Sequence, residues 1–249
     1  MKIILYTVIK NEIEEDVKQW IDYHLSLGID EIYIFEDYDS NPHLSLYNLD
    51  NVRVMNISEL VSEEDKEKCR NKFYLPGTPK FSFQGMYMRR IIDFLIKKGF
   101  DWSCYFDIDE YITPNGDLKS ILSHFKAHQA LKIPCVIYNA NGHIKRPQGL
   151  IIDNYKEIVE DSKFRHQTKM FINMQKYTPD MQYNHHICIK GDYVLLDKDV
   201  IYYRHYITKS FEDWVYKINV RKQFNNSKRM DHFFLLNPNM NKDELLKLL

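Results

Sequence analysis

Residues 105–112 read Tyr-Phe-Asp-Ile-Asp-Glu-Tyr-Ile. Two aspartates, Asp107 and Asp109, stand one residue apart among aromatic and β-branched neighbours. In a strand, whose side chains alternate, both project to one side and Ile108 to the other. Paired carboxylates at the end of a buried strand resist ionising together. A hard divalent cation removes that cost, and oxygen ligands in this arrangement suit Mn²⁺ or Mg²⁺. The plainer alternative is a strand that runs out into a solvated acidic turn closed by Pro114, Asn115 and Gly116.

Histidines and lysines in the second half add to this chemistry. His185-His186 and His205-Tyr206 each accompany a strand-like run. A neutral imidazole can complete a cation shell that carboxylates begin, or hydrogen-bond a diphosphate; a lone histidine is more often a satisfied polar residue. Lys209-Ser210 opens a helix, with Ser210 as N-cap and Asp213 at the third helical position, which is capping chemistry in its own right. The same helix start beside a lysine is also an anion site. Lys217 and Arg221, followed by Lys228 and Arg229, read as a basic stripe that is phosphate-facing, membrane-facing or, by default, solvated.

The elements that must position these groups alternate in type. An apolar run over 2–9 predicts a first strand, and helical spacing over 12–27 predicts a helix with Ile13, Val17, Trp20, Ile21, His24 and Leu25 inward and Gly28 as its stop. Strands follow at 31–35 and 51–57, a charged surface segment at 62–72, and an amphipathic helix at 83–98 with Met86, Tyr87, Ile91, Phe94 and Leu95 inward. That helix feeds a strand over 102–107. The alternation predicts an α/β fold with a mixed, mainly parallel central sheet flanked by helices. Ligands of such sheets bind beyond the carboxyl ends of the strands, where the acidic cluster after residue 35 and the run after 106 converge. After residue 116 a short helix (117–126) and a strand (132–139) lead to strands near 168–173, 185–190 and 200–206 and a helix near 210–224. No repeat or linker divides the chain, so one domain over 1–249 is expected, its halves being 1–116 and 117–249.

Composition narrows the class. The chain has 249 residues, 44% hydrophobic and 28% charged, as an ordinary globular protein does. A net charge of −1 and a sequence pI near 6.8 give no bulk attraction for nucleic acid or anionic lipid. Cys69, Cys104, Cys135 and Cys188 are scattered without close pairing, which fits a reducing, cytoplasmic setting. The apolar start, Met1 to Ile9, is too short to span a membrane and lacks a cleavage site. The loop from Thr7 to Glu12 can present backbone N–H groups to a ligand but contains no glycine, so a dinucleotide fingerprint is absent, as are a phosphate-cradling loop, a serine elbow and His-Glu-x-x-His.

Three blocks carry a resemblance. Lys10-Asn11-Glu12, Trp20-Ile-Asp-Tyr-His24-Leu-x-Leu-Gly28 and Asp37-x-Asp39-Ser40-Asn41 form the first; Gln84, Tyr87, Trp102 and Asp107-Ile-Asp109-Glu110-Tyr111-Ile112 the second; His205-Tyr206-x-x-Lys209-Ser210 with Lys217 the third. Together they resemble the family 2-like and family 92-like glycosyltransferases over about residues 2–222. The resemblance implies a GT-A-type nucleotide-diphospho-sugar transferase fold, with a donor-binding half and an acceptor-binding half. It implies Asp109 on a Mn²⁺ or Mg²⁺ ion that holds the diphosphate, with Asp107 assisting at the metal or the ribose, and His205 as a third metal or diphosphate contact. Thr7, Glu12, Asp37, Gln84 and Lys209 would bind the nucleotide-sugar, a UDP-sugar first among donors. Two departures stand out: Glu-Asp-Tyr-Asp-Ser-Asn in place of the usual Asp-Asn-x-Ser-x-Asp, and Tyr138-Asn-Ala-Asn-Gly142, which lacks the family's first glycine.

The expected reaction is transfer, with inversion, of a sugar to a hydroxyl of a glycan or lipid-linked acceptor, in bacterial surface polysaccharide or lipopolysaccharide synthesis at the inner face of the membrane, with peripheral association. Asp153 is the first choice for general base, ahead of Glu157 and Glu212, and Glu110 is a further catalytic candidate. Competing classes are a metal-dependent nucleotidyltransferase or phosphohydrolase, and a non-catalytic nucleotide- or glycan-binding module.

Overall fold

A computed structural model describes residues 1–37, 49–65, 67, 83–160, 167–178, 191–220 and 227–248. Its first half follows the expected alternation. Strand β1 (Ile3–Ile9) leads to helix α1 (Glu14–Ser26), β2 (Glu31–Glu36) and β3 (Val52–Asn56), and helix α2 (Phe83–Ile96) returns to β4 (Trp102–Tyr105). These four strands are mutually parallel in the order β3-β2-β1-β4. The apolar runs of β1 and β2, buried almost throughout, arise because both faces are covered. Ile3, Leu5, Ile9, Ile32 and Ile34 face α1 through Val17, Trp20 and Ile21. Ile4, Tyr6, Tyr33 and Phe35 face α2 through Met88, Ile91, Ile92 and Leu95.

The second half extends the same sheet. Beyond β4 come β7 (Thr168–Asn173), β6 (Ala130–Ile137), β9 (Ile201–His205) and β5 (Glu110–Pro114), with β8 (Tyr193–Leu195) pairing beside β6. β7 runs antiparallel to both β4 and β6, and β5 antiparallel to β9. Helices α3 (Leu118–His124) and the one-turn α4 (Ile151–Asn154) lie in the connections. At the end, α5 (Phe211–Asn219), α6 (Ser227–Leu236) and α7 (Lys242–Leu246) enclose a small third core of Ala140, Phe211, Trp214, Ile218, Phe233 and Leu245. The sheet is therefore mixed, mainly parallel and flanked by helices.

Several expectations are corrected. The acidic run does not finish a strand: β4 stops at Tyr105, the chain turns, and Glu110 begins β5. The turn closes when the Glu110 N–H donates to the Asp107 carbonyl at 2.9 Å, while the Glu110 carboxylate accepts the Asp107 N–H at 2.9 Å. Period-two alternation therefore does not set the directions of Asp107 and Asp109. The helix expected near 210–224 ends at Asn219, with 221–226 outside the described residues. The strand expected near 185–190, together with His185 and His186, also lies outside them, as do Asp39, Ser40, Asn41, Cys69 and Cys188. Among the described residues, no helix is long and apolar enough to cross a membrane.

Candidate active site

The acidic turn lies at the carboxyl edge of the parallel strands, where the Phe106 N–H still pairs with the Tyr6 carbonyl of β1 at 3.3 Å. Helix α1 fixes the start of β5 from one side. The Trp20 indole N–H donates to the Glu110 carbonyl at 2.8 Å, and the Tyr23 hydroxyl donates to the Ile112 carbonyl at 2.7 Å. His24 completes this grip. Its Nδ1 meets the Trp20 carbonyl at 2.8 Å and its Nε2 accepts the Ile112 N–H at 3.2 Å, which defines a neutral Nδ1–H tautomer. Burial pulls the His24 pKa down to about 3, so this tautomer persists.

Each carboxylate of the turn has a lysine. Lys169, fully buried on β7, places its ammonium 2.8 Å from Asp107 Oδ2 and 2.6 Å from Glu110 Oε2. Burial alone would lower its pKa, but Asp107 and Glu110 hold it above the ordinary lysine value. Glu110 is moved upward to about 8, chiefly by burial and against the pull of Lys169. Lys217 of α5 donates to Asp109 Oδ2 at 2.7 Å and to the Ile207 carbonyl at 3.1 Å. The Tyr105 hydroxyl donates to Asp107 Oδ1 at 2.6 Å. The repulsion expected between paired aspartates is thus already relieved by protein cations. Lys217 belongs to this cluster, which corrects the reading of a basic stripe; Arg221 lies outside the described residues.

His205 stands opposite Glu110 in the β5–β9 register. Its Nδ1 faces the Gln167 amide oxygen at 3.3 Å, and its Nε2 lies 3.7 Å from Asp109 Oδ1. Burial lowers its pKa to about 4, with Asp109 opposing, so the ring is neutral. With the Nδ1 proton given to Gln167, the Nε2 lone pair faces a carboxylate oxygen at a separation too long for a hydrogen bond. The His205 nitrogen and the Asp109 oxygen, 3.7 Å apart, are ligand types that fit a divalent cation. Among the described residues, no group of three or more acidic, histidine or cysteine side chains has metal-site geometry.

The other expected site residues are spread more widely. Thr7 is buried in β1, and its hydroxyl has no hydrogen-bond partner among the described residues. Glu12 is half-buried ahead of α1, and Asp37 is half-buried just past β2, its N–H bonded to the Ile9 carbonyl at 2.9 Å. Gln84 lies on α2 with its side chain outside what is described. Asp153 is exposed on α4. Glu157 accepts from the Asn139 amide at 3.2 Å, and Glu212 from the Arg146 N–H at 2.8 Å.

Lys209 turns to a separate network. It adopts a left-handed backbone (φ 49°) and pairs with Asp16 of α1. Arg146 bridges Asp16, at 2.6 Å, and Asp213, at 2.7 Å. The capping box at Ser210 is as expected: its hydroxyl accepts the Asp213 N–H at 3.0 Å and donates to Asp213 Oδ2 at 2.6 Å. Burial alone would raise the Asp213 pKa, but Lys209, Ser210 and Arg146 together lower it. Sequence reasoning missed Lys169, Asp16 and Arg146. The one available signal was a lysine at the second position of the strand Thr168–Asn173, directly before Met170, Phe171 and Ile172.

The profile of glycosyltransferase family 92 matches residues 94–243, more than half of the chain, and includes the acidic turn, Lys169, His205 and Lys217. No curated protein matches significantly. Solved structures similar to this chain include bifunctional IspDF from Campylobacter jejuni, with 8% identity and a TM-score of 0.42, over 79% of this chain and 50% of that one. The chain thus spans half the length of IspDF. HddC from Yersinia pseudotuberculosis, complexed with GMP-PN, has 10% identity and a TM-score of 0.43 over 82% and 93%. A provisionally assigned nucleotide-diphospho-sugar transferase from Desulfovibrio desulfuricans has 11% identity and a TM-score of 0.38 over 100% and 98%. These likenesses are too remote to bear on mechanism. The profile match, in contrast, runs through the acidic turn and the strand and helix that complete its cluster: the chain belongs to glycosyltransferase family 92.

Proposed function

We propose that this protein is a metal-dependent glycosyltransferase that moves a sugar from a nucleotide-diphosphate donor, a UDP-sugar first, to a hydroxyl of a glycan or lipid-linked acceptor. The observation that carries the reading is the neutral His205 Nε2 lone pair facing Asp109 Oδ1 at 3.7 Å, at the carboxyl edge of parallel strands. Asp109 and His205 would hold Mn²⁺ or Mg²⁺, with Asp107 beside them. Such an ion neutralises the charge that builds on a departing diphosphate.

The chain's own residues prepare that site. Lys217 anchors Asp109 through Oδ2 and leaves Oδ1 toward His205. Gln167 fixes the imidazole tautomer. Lys169 and Glu110 would brace the turn through Asp107, and Glu110 stays in the proposal as a further catalytic candidate. Thr7, Glu12, Asp37 and Gln84 are the proposed nucleotide-sugar contacts. Asp153 remains the proposed general base, a role that contributes roughly 10²–10⁴-fold where it operates. Inversion, surface-glycan synthesis and work at the inner membrane face belong to this same proposal.

The test is thermal shift with UDP, GDP, CMP and ADP, each with and without Mn²⁺. A nucleoside diphosphate should raise the melting temperature only with the metal, and Asp109→Ala should remove that rise while circular dichroism stays native. Asp153→Asn should slow sugar transfer and keep the rise. A full metal-dependent rise in Asp109→Ala would overturn the metal assignment.

A further inference from the structure

A cleft of about 370 Å³ opens between the first turn of α1, the 146–155 segment and the start of α5. None of Asp107, Asp109, Glu110, Lys169 or His205 lines it, so it is distinct from the acidic cluster. Its polar floor is the Asp16–Arg146–Asp213 chain with Lys209, and both carboxylates are nine-tenths or more buried. Gln19, Gln148 and Asn154 add amide groups, and Pro147, Leu150 and Ile151 add apolar surface.

We propose that this cleft binds a neutral saccharide, the acceptor's sugar unit. The inference rests on the glycosyltransferase reading above and adds a place for the second substrate. Charge decides the ligand class. Arg146 and Lys209 are engaged by Asp16 and Asp213, so an anion meets carboxylates beside each cation, and a cationic ligand meets the reverse. Sugar hydroxyls donate and accept at once, which suits the part-exposed Arg146 guanidinium beside the exposed Gln148 amide. The apolar side suits the C–H face of a pyranose ring, and the volume falls in the roughly 300–1,000 Å³ of small-ligand sites.

The setting is rigid and well placed. Gln19 joins α1 to the opposite wall, accepting the Ile151 N–H at 3.0 Å and donating to the Gly149 carbonyl at 3.3 Å. Lys209 holds a left-handed backbone that lysine rarely adopts, a form of strain that gathers at ligand sites. The segment from His205 through Lys209 into α5 passes from the acidic cluster to the cleft, and Lys217 of the same helix returns to Asp109. Donor and acceptor would thus sit on one strand–helix unit.

Ligand-observed NMR titrations with the methyl glycosides of glucose, galactose, mannose and N-acetylglucosamine, each run with and without UDP and Mn²⁺, test the proposal. At least one glycoside should bind. Leu150→Arg and Gln148→Ala, both at exposed positions, should each weaken it about tenfold with the melting temperature and the UDP–Mn²⁺ shift unchanged. Binding of none of the four under either condition, binding indifferent to both substitutions, or displacement of the glycoside by inorganic phosphate overturns it. Glycoside binding with the expected losses, but no UDP–Mn²⁺ shift in the wild type, would sink the donor reading and leave the cleft a saccharide site. A normal UDP–Mn²⁺ shift with no glycoside bound does the opposite.

Discussion

The Lys169 side chain has no exposed surface, yet it carries a charge between Asp107 and Glu110. Such a lysine costs several kcal/mol to desolvate and is kept only because both partners are within hydrogen-bond reach. Removing it alone leaves the buried Glu110 carboxyl without its counter-charge, so the group must take up a proton to stay folded. Lys169→Met should therefore destabilise the fold by roughly 3–5 kcal/mol in urea titration. The double variant Lys169→Met/Glu110→Gln should recover most of that loss, since the glutamine oxygen can still accept the Asp107 N–H and the remaining carboxylate, Asp107, reaches solvent. A double variant no more stable than the single one would show that packing, and not charge, sets the cost. The sequence displays Asp107, Asp109 and Glu110 openly but hides the partners that tune them. Lys169 lies 62 residues from Asp107 and Lys217 lies 108 from Asp109, and pairings of that span are fixed by tertiary structure, not by local sequence.

At the scale of elements, α1 is the brace of the acidic turn. Three of its side chains, Trp20, Tyr23 and His24, bond the β5 backbone within Glu110–Ile112. His24 makes this brace sensitive to acid. Its folded pKa, about 3, is below the unfolded value near 6.5, so the unfolded chain binds the proton first and stability falls as pH drops through 6.5 toward 3. Between pH 8 and pH 5 this residue alone should remove about 2 kcal/mol. His24→Gln, which cannot titrate, should flatten the pH dependence of unfolding by that amount relative to the wild type; equal slopes would show that His24 is not held neutral. Helix α1 and strands β1, β2 and β3 were legible to within a residue or two because both-face burial and helical spacing are local signals. The break at Phe106 was not. Asp107 through Asp109 alternates polar and apolar residues as a strand does, and only the Glu110 side chain closing on the Asp107 amide, with Glu110 pairing to His205 across β5 and β9, makes it a turn.

At the scale of the molecule, the described residues form two large cores, one on each face of the sheet, and a small third one that joins α5, α6 and α7 to Ala140. The third core matters more than its size suggests. Helix α5 carries Lys217 to Asp109, and its start carries Lys209 and Asp213 into the cleft, so the order of both candidate sites depends on six buried side chains. Regions with few buried apolar contacts open at a lower free energy than the rest of a fold. Phe233, fully buried against Phe211 and Trp214, is the centre of that cluster. Phe233→Ala removes contacts worth roughly 3–5 kcal/mol. Because the two sheet cores do not contain Phe233, the loss should fall on the terminal helices. Amides of residues 211–219 should exchange with solvent far faster, those of β1, β2 and β4 should keep their protection, and the UDP–Mn²⁺ melting shift should shrink as Lys217 loses its hold on Asp109. Equal acceleration across strands and helices would mean that the third core unfolds only with the sheet, and that both sites draw their order from the molecule as one cooperative unit.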